Sequence, residues 1–142
     1  MPITKGFRAL VDEANAVITT YTVEQVRQRL GQDPSLQVVD IRDPRELERE
    51  GTVPGAMHAP RGMLEFWVDP ESPYYKPAFG DEGKEYVLFC GAGWRSALAA
   101  KALQDMGMIN VAHIDGGWAH WTRAGAPVES LEDNKARRKG KA

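Results

Sequence analysis

The chain has 142 residues, 42% of them apolar and 27% charged, with a formal net charge of −2 and a single cysteine. That size and balance suit one compact soluble domain and give no reason to expect nucleic acid or an anionic membrane as a partner. One cysteine excludes an intrachain disulfide. The N-terminus lacks the apolar run of a signal peptide and no stretch reads as a membrane span, so a cytoplasmic protein is expected.

In chain order, Phe7, Leu10, Val11, Ala14 and Val17 recur at helical spacing, so residues 1–20 read as a helical lead-in. The next helix is better marked. Thr22 can cap it, Gln25 can complete a capping box, and Val23, Val26 and Leu30 would face inward. Leu36 to Ile41 is a β-branched run of strand length. Asp43 as N-cap, Pro44 at the first helical position and Gly51 as the stop bracket another helix. Pro54-Gly55 signals a turn before a short extended piece. Leu64 to Gly83 is proline-punctuated and aromatic, and is expected to be a surface loop whose Phe66, Trp67 and Tyr74 pack back on the domain, the alternative being a flap beside Cys90 or a self-association surface.

Glu85 to Cys90 forms a second strand, an alanine-rich helix begins near Ser96, and Val111 to Ile114 forms a third strand. A Gly116-Gly117 turn then leads into a short helix anchored by Trp118 and Trp121. The last segment, 131–142, is polar with five basic residues from Lys135 onward, and is expected to be a disordered, solvated tail. Strands alternating with helices predict an α/β fold of three layers around a parallel sheet, whose ligands bind beyond the carboxyl ends of the strands.

Cys90 lies at such an end, in "CGAGWRS". Gly91 and Gly93 allow successive N–H groups to turn into one concavity, and the following helix adds the positive end of its dipole. Arg95 supplies a cation close by in the chain. A thiol in that setting falls from about 8.5 to roughly 3.5–7.5 and becomes a nucleophile. The alternative is that Cys90 is one more small buried hydrophobe. Four residues separate Cys90 from Arg95, one fewer than in the loops of protein tyrosine phosphatases. The shorter loop is expected to fit a single sulfane sulfur better than a phosphoryl group. No "HC" pair and no clearly placed general-acid aspartate accompany it. Thiolate attack, a persulfide held by amides and discharge to a second thiophile would suffice.

Three segments carry a family resemblance: "VVDIRDPRELEREGTVPGAMHAPRG", "VLFCGAGWRSALAAKAL" and "VAHIDGGWAHWTRAGAPV". In order and spacing they resemble the rhodanese (sulfurtransferase) superfamily in its single-domain form, over about Tyr21 to Glu129. The resemblance implies a rhodanese-like domain at 21–130, with a central, mostly parallel sheet flanked by helices. It implies that Cys90 carries persulfide sulfur, and that Gly91, Ala92, Gly93, Trp94 and Arg95 form the binding loop, with Ser96 opening the next helix. It further implies a thiosulfate-type small-molecule donor and a thiol or cyanide acceptor, or an acceptor protein, with no metal and no organic cofactor. Two alternatives stay open: a module that binds or senses through Cys90 without turnover, and a cysteine-dependent phosphatase or arsenate reductase. Thr52 stands where the family commonly has histidine, which reads as structural variation. "CGAG" resembles the start of mercaptopyruvate sulfurtransferase loops, but Trp94 and Arg95 diverge from them.

Among the other polar residues, Asp40 ends the first strand. It is either a supporting residue near the loop, as the resemblance implies, or a strand-end hydrogen-bond acceptor. Arg42 and Glu46 are expected to pair locally. His58, His113 and His120 share no metal-ligand spacing and read as surface or core histidines.

Overall fold

Strands β1 (Thr19–Tyr21), β2 (Leu36–Asp40), β3 (Met57–His58), β4 (Glu85–Phe89) and β5 (Val111–Ile114) make one sheet in the order β1-β5-β4-β2-β3. Every pairing in it is parallel. The computed structural model describes residues 2–140. Among them are seven α-helices: α1 (Phe7–Asn15), α2 (Val23–Arg29), α3 (Pro44–Glu50), α4 (Leu64–Val68), α5 (Trp94–Asp105), α6 (Gly117–Arg123) and α7 (Leu131–Lys139).

The caps decide where the helices start. Thr22 Oγ1 accepts the Gln25 N–H while the Gln25 side chain accepts the Thr22 N–H, the reciprocal box that starts α2. Asp43 and Glu46 do the same for α3, with Pro44 at its first position and Gly51 turning the chain at φ +83°.

Alternation along the strands sorts the core into two layers. Tyr86, Leu88 and Cys90 face α4 and α5, with Leu64, Ala99, Ala100 and Leu103. Val87 and Phe89 face α2 and α6, with Val26, Trp118 and Trp121. Burying a side chain of Leu or Phe size contributes roughly 1.5–3 kcal/mol. Two such clusters back to back therefore clamp the short β4 from both faces. Helix α1 lies outside the three layers and packs on α5, with Val11 and Ala14 against Ala97.

Four expectations need correction. Val17 falls beyond α1 and is exposed, because the helix ends at Asn15 and the chain turns into β1. Helix α5 begins at Trp94 rather than near Ser96, since Gly93 at φ +92° is already its N-cap. The 64–83 segment holds α4 and a 3₁₀ turn at Pro77–Phe79; of the three aromatics expected to pack back only Trp67 does, and Phe79 joins the core beside it. Phe66 and Tyr74 are exposed.

The fourth concerns the C-terminus, where 131–139 is a helix and not a disordered tail. Ser130 caps α7, and Asn134, only 3% exposed, donates to the Ala56 carbonyl and to Glu129. Its docking is polar, so no apolar stripe announces it. Residues 141–142 of the expected tail lie outside the described residues.

Candidate functional site around Cys90

Strand β4 ends at Phe89, so Cys90 is the first residue past the carboxyl edge of the sheet, and it is 1% exposed. Its Sγ accepts two backbone N–H groups, from Gly93 at 3.2 Å and from Ser96 at 3.3 Å. The loop is only four residues long because it folds straight into the first turn of α5. That turn supplies the Ser96 N–H, one of the donors a helix leaves without an internal partner.

A second turn braces the first. The Trp118 N–H donates to the Cys90 carbonyl at 2.7 Å, and the Ala119 N–H to the Gly91 carbonyl at 3.0 Å. Gly117 makes this approach possible, since a Cβ there would stand 2.3 Å from the Cys90 carbonyl oxygen. Gly93 is pressed likewise, its Cβ position falling 3.1 Å from the Gly116 nitrogen.

Arg95 lies over the loop, with Nη2 3.0 Å from where a Gly91 Cβ would be. Its guanidinium is held by both oxygens of Glu46, at 2.9 and 3.2 Å. Glu46 lies in the first turn of α3, and its carboxyl group is held below the usual range, chiefly by the Arg95 bond. Arg95 in turn is raised, first by Glu46 and in smaller part by Cys90. The expected Arg42–Glu46 pair therefore does not form. Glu46 reaches across to the loop, and Arg42 turns back to Asp40.

Asp40 is fully buried and accepts from the Arg42 side chain at 2.9–3.3 Å and from the Thr52 hydroxyl at 2.8 Å. Among the described residues it makes no hydrogen bond to loop 90–96. Strand alternation is the reason, because Asp40 shares the Val38 face whereas Cys90 shares the Val39 face. Arg42 lies 4.4 Å from the Trp118 ring centroid and also donates to the Gly51 carbonyl. Thr52, where a histidine was the family expectation, thus completes a buried Asp40–Arg42–Thr52 cluster.

Two further groups, His113 and Asn15, stand behind the loop. Ser96 Oγ is 3.5 Å from Cys90 Sγ and 2.9 Å from Nδ1 of His113 on β5. His113 Nε2 is 3.0 Å from Asn15 Oδ1 at the end of α1. Burial pushes the His113 imidazolium down to about 4. A histidine inside "VAHI", beside the strand that leads into Cys90, was the available signal. Asn15 had none. The loop residues Trp94 and Ala92 are exposed, and Trp94 packs against Phe7 with the rings tilted at 54° and 4.8 Å between centroids.

Among the described residues no group of histidine, cysteine and carboxylate side chains could hold a metal ion. No helix among them is long and apolar enough to cross a membrane. A cavity of about 1060 Å³, lined by Pro34, Gln37, Gly55 and Arg138 among others, includes no residue of loop 90–96.

An open parallel α/β sheet with a buried thiol cradled by amides at its carboxyl edge defines a class of single-thiol domains. The chain belongs to the rhodanese-like domain family, whose model matches residues 22–124. It is 29% identical over 109 residues to a sulfurtransferase of Allochromatium vinosum, covering 77% of this chain and 92% of that one. It is 28% identical over 105 residues to the putative sulfur carrier protein YrkF of Bacillus subtilis, covering 74% of this chain but only 51% of YrkF, about half its length. Among solved structures it resembles a protein of unknown function, described as a possible tyrosine phosphatase, from Rhodopseudomonas palustris. That likeness has a TM-score of 0.87 at 50% identity, over 91% of this chain and 98% of that one.

Proposed function

We propose that the protein is a sulfurtransferase in which Cys90 carries sulfane sulfur as a persulfide. The observation that supports this most directly is the convergence of the Gly93 and Ser96 N–H groups on Sγ, in a loop one residue shorter than those of protein tyrosine phosphatases. In the first half-reaction the Cys90 thiolate attacks the outer sulfur of a thiosulfate-type donor. The Sγ–S bond forms, the donor S–S bond breaks, and sulfite leaves with the electron pair. In the second, a thiol or cyanide attacks the outer sulfur, the Sγ–S bond breaks, and the thiolate returns. Arg95 and the loop amides of Gly91, Ala92, Gly93 and Trp94 offset the negative charge on the outer sulfur. Ser96 sits beneath Sγ. The cycle needs no metal or organic cofactor.

A phosphatase is the second reading, because the relative from Rhodopseudomonas palustris carries that description. The four-residue spacing from Cys90 to Arg95 argues against it. The two separate in a paired assay. Thiocyanate should form from cyanide with thiosulfate, mercaptopyruvate or glutathione persulfide, and Cys90→Ser should abolish it. Cys90-dependent hydrolysis of an aryl phosphate, with no thiocyanate from any donor, would overturn the proposal.

A further inference from the structure

The sulfur cycle has no use for Asn15 or His113, although both belong to a hydrogen-bonded chain that ends on Cys90. Asn15 is the last residue of α1, outside the segment that the family model matches. Its Oδ1 faces His113 Nε2 at 3.0 Å. A carboxamide oxygen only accepts, so Nε2 carries the imidazole proton and Nδ1 presents its lone pair. The Ser96 hydroxyl, 2.9 Å from Nδ1, therefore donates to it. The other acceptor in reach, the Gly93 carbonyl, is farther at 3.4 Å and already takes the Ala97 N–H. With its one proton committed, Ser96 turns a lone pair to Cys90, whose thiol donates to it across 3.5 Å.

We infer that Asn15 is a positioning residue: through His113 it holds the Ser96 hydroxyl proton turned away from Cys90. The inference rests on the reading of Cys90 as the reactive group. An empty thiolate then faces an oxygen lone pair, and the groups that stabilise it are the Gly93 and Ser96 N–H groups and, from across the loop, Arg95. Once a second sulfur is attached, the charge moves to the outer atom, Sγ is neutral, and the lone pair no longer opposes it. The chain thus favours the loaded cysteine over the empty anion. Burial keeps His113 neutral at neutral pH, as the acceptor role requires.

Few charges reach this chain. At Cys90 there is Arg95 of α5, paired with Glu46 of α3. At His113 there is Asp115, just past β5. On α1, Arg8, Asp12 and Glu13 are exposed, with Glu13 paired to Lys5. Farther along α5, Lys101 and Asp105 pair with each other.

Asn15→Asp tests the inference, because position 15 is exposed and tolerates a carboxylate. A carboxylate there would draw a proton onto His113, whose Nδ1–H would then donate to Ser96 and release the serine hydroxyl towards Cys90. The midpoint of the pH profile for Cys90 alkylation by iodoacetamide should fall by about one pH unit. The fall should vanish in a Ser96→Ala background. A negative charge acting only through space would raise the midpoint instead. A rise, no change, or a fall that survives Ser96→Ala overturns the inference. Alkylation needs no sulfur donor, so the result stands apart from whether the protein turns over thiosulfate. In the unsubstituted protein, ¹⁵N imidazole spectra should show the His113 proton on Nε2. A proton on Nδ1 overturns the inference however the variants fold.

Discussion

Gly117 shows how little freedom the cysteine loop has. Its φ of +54° and the 2.3 Å gap from a Cβ to the Cys90 carbonyl oxygen leave no room for any side chain, and the obstacle is backbone that cannot swing aside. The neighbouring Trp118 N–H is meanwhile bound to that same carbonyl at 2.7 Å. Gly117→Ala should therefore destabilise the fold by about 3 kcal/mol, read as a lowered urea midpoint. A midpoint within experimental error of the parent would mean that the two turns separate easily. Glu46 makes a related point. It serves the α3 capping box and Arg95 at once, so one carboxylate ties a helix start to the cysteine loop.

At the scale of elements, legibility follows from whether the signal is local. Helices α2 and α3 are readable because their caps are written in adjacent residues. Strands β2, β4 and β5 are readable as short apolar runs. Strand β1 is not, because its three residues carry no buried face. Helix α7 is hidden for a different reason. It is polar all round, and tertiary hydrogen bonds hold it: Glu129 takes the Gly55 N–H, Asn134 Nδ2 and Arg137 Nε. Asn134→Ala removes two of the bonds that dock α7 and should cost about 1–3 kcal/mol in chemical denaturation. Thiocyanate formation should be unchanged, since Gly55 and Ala56 precede β3 and so lie towards the edge of the parallel sheet opposite Cys90. A loss of activity without a loss of stability would contradict that separation.

For the whole molecule, the parallel sheet assigns different work to its two edges. At the carboxyl edge the β4–α5 loop, the Gly116-Gly117 turn and α3 converge on one thiol. The strand, loop and helix around Cys90 are legible in "VLFCGAGWRSALAAKAL", because that setting is contiguous. The Glu46–Arg95 pair and the Asn15–His113–Ser96 chain are not, because their partners lie 49, 98 and 17 residues apart in sequence and meet only on folding. Strand alternation explains why Asp40 looks close to the loop in a strand-end argument yet faces the other layer. Family membership fixes the fold, and the cargo is the claim most open to test. Intact mass spectrometry after incubation with thiosulfate addresses it most directly. The account predicts a gain of one sulfur atom on the native protein, none on Cys90→Ser, and return to the original mass on adding cyanide. An unchanged mass with thiosulfate, mercaptopyruvate and glutathione persulfide alike would contradict it.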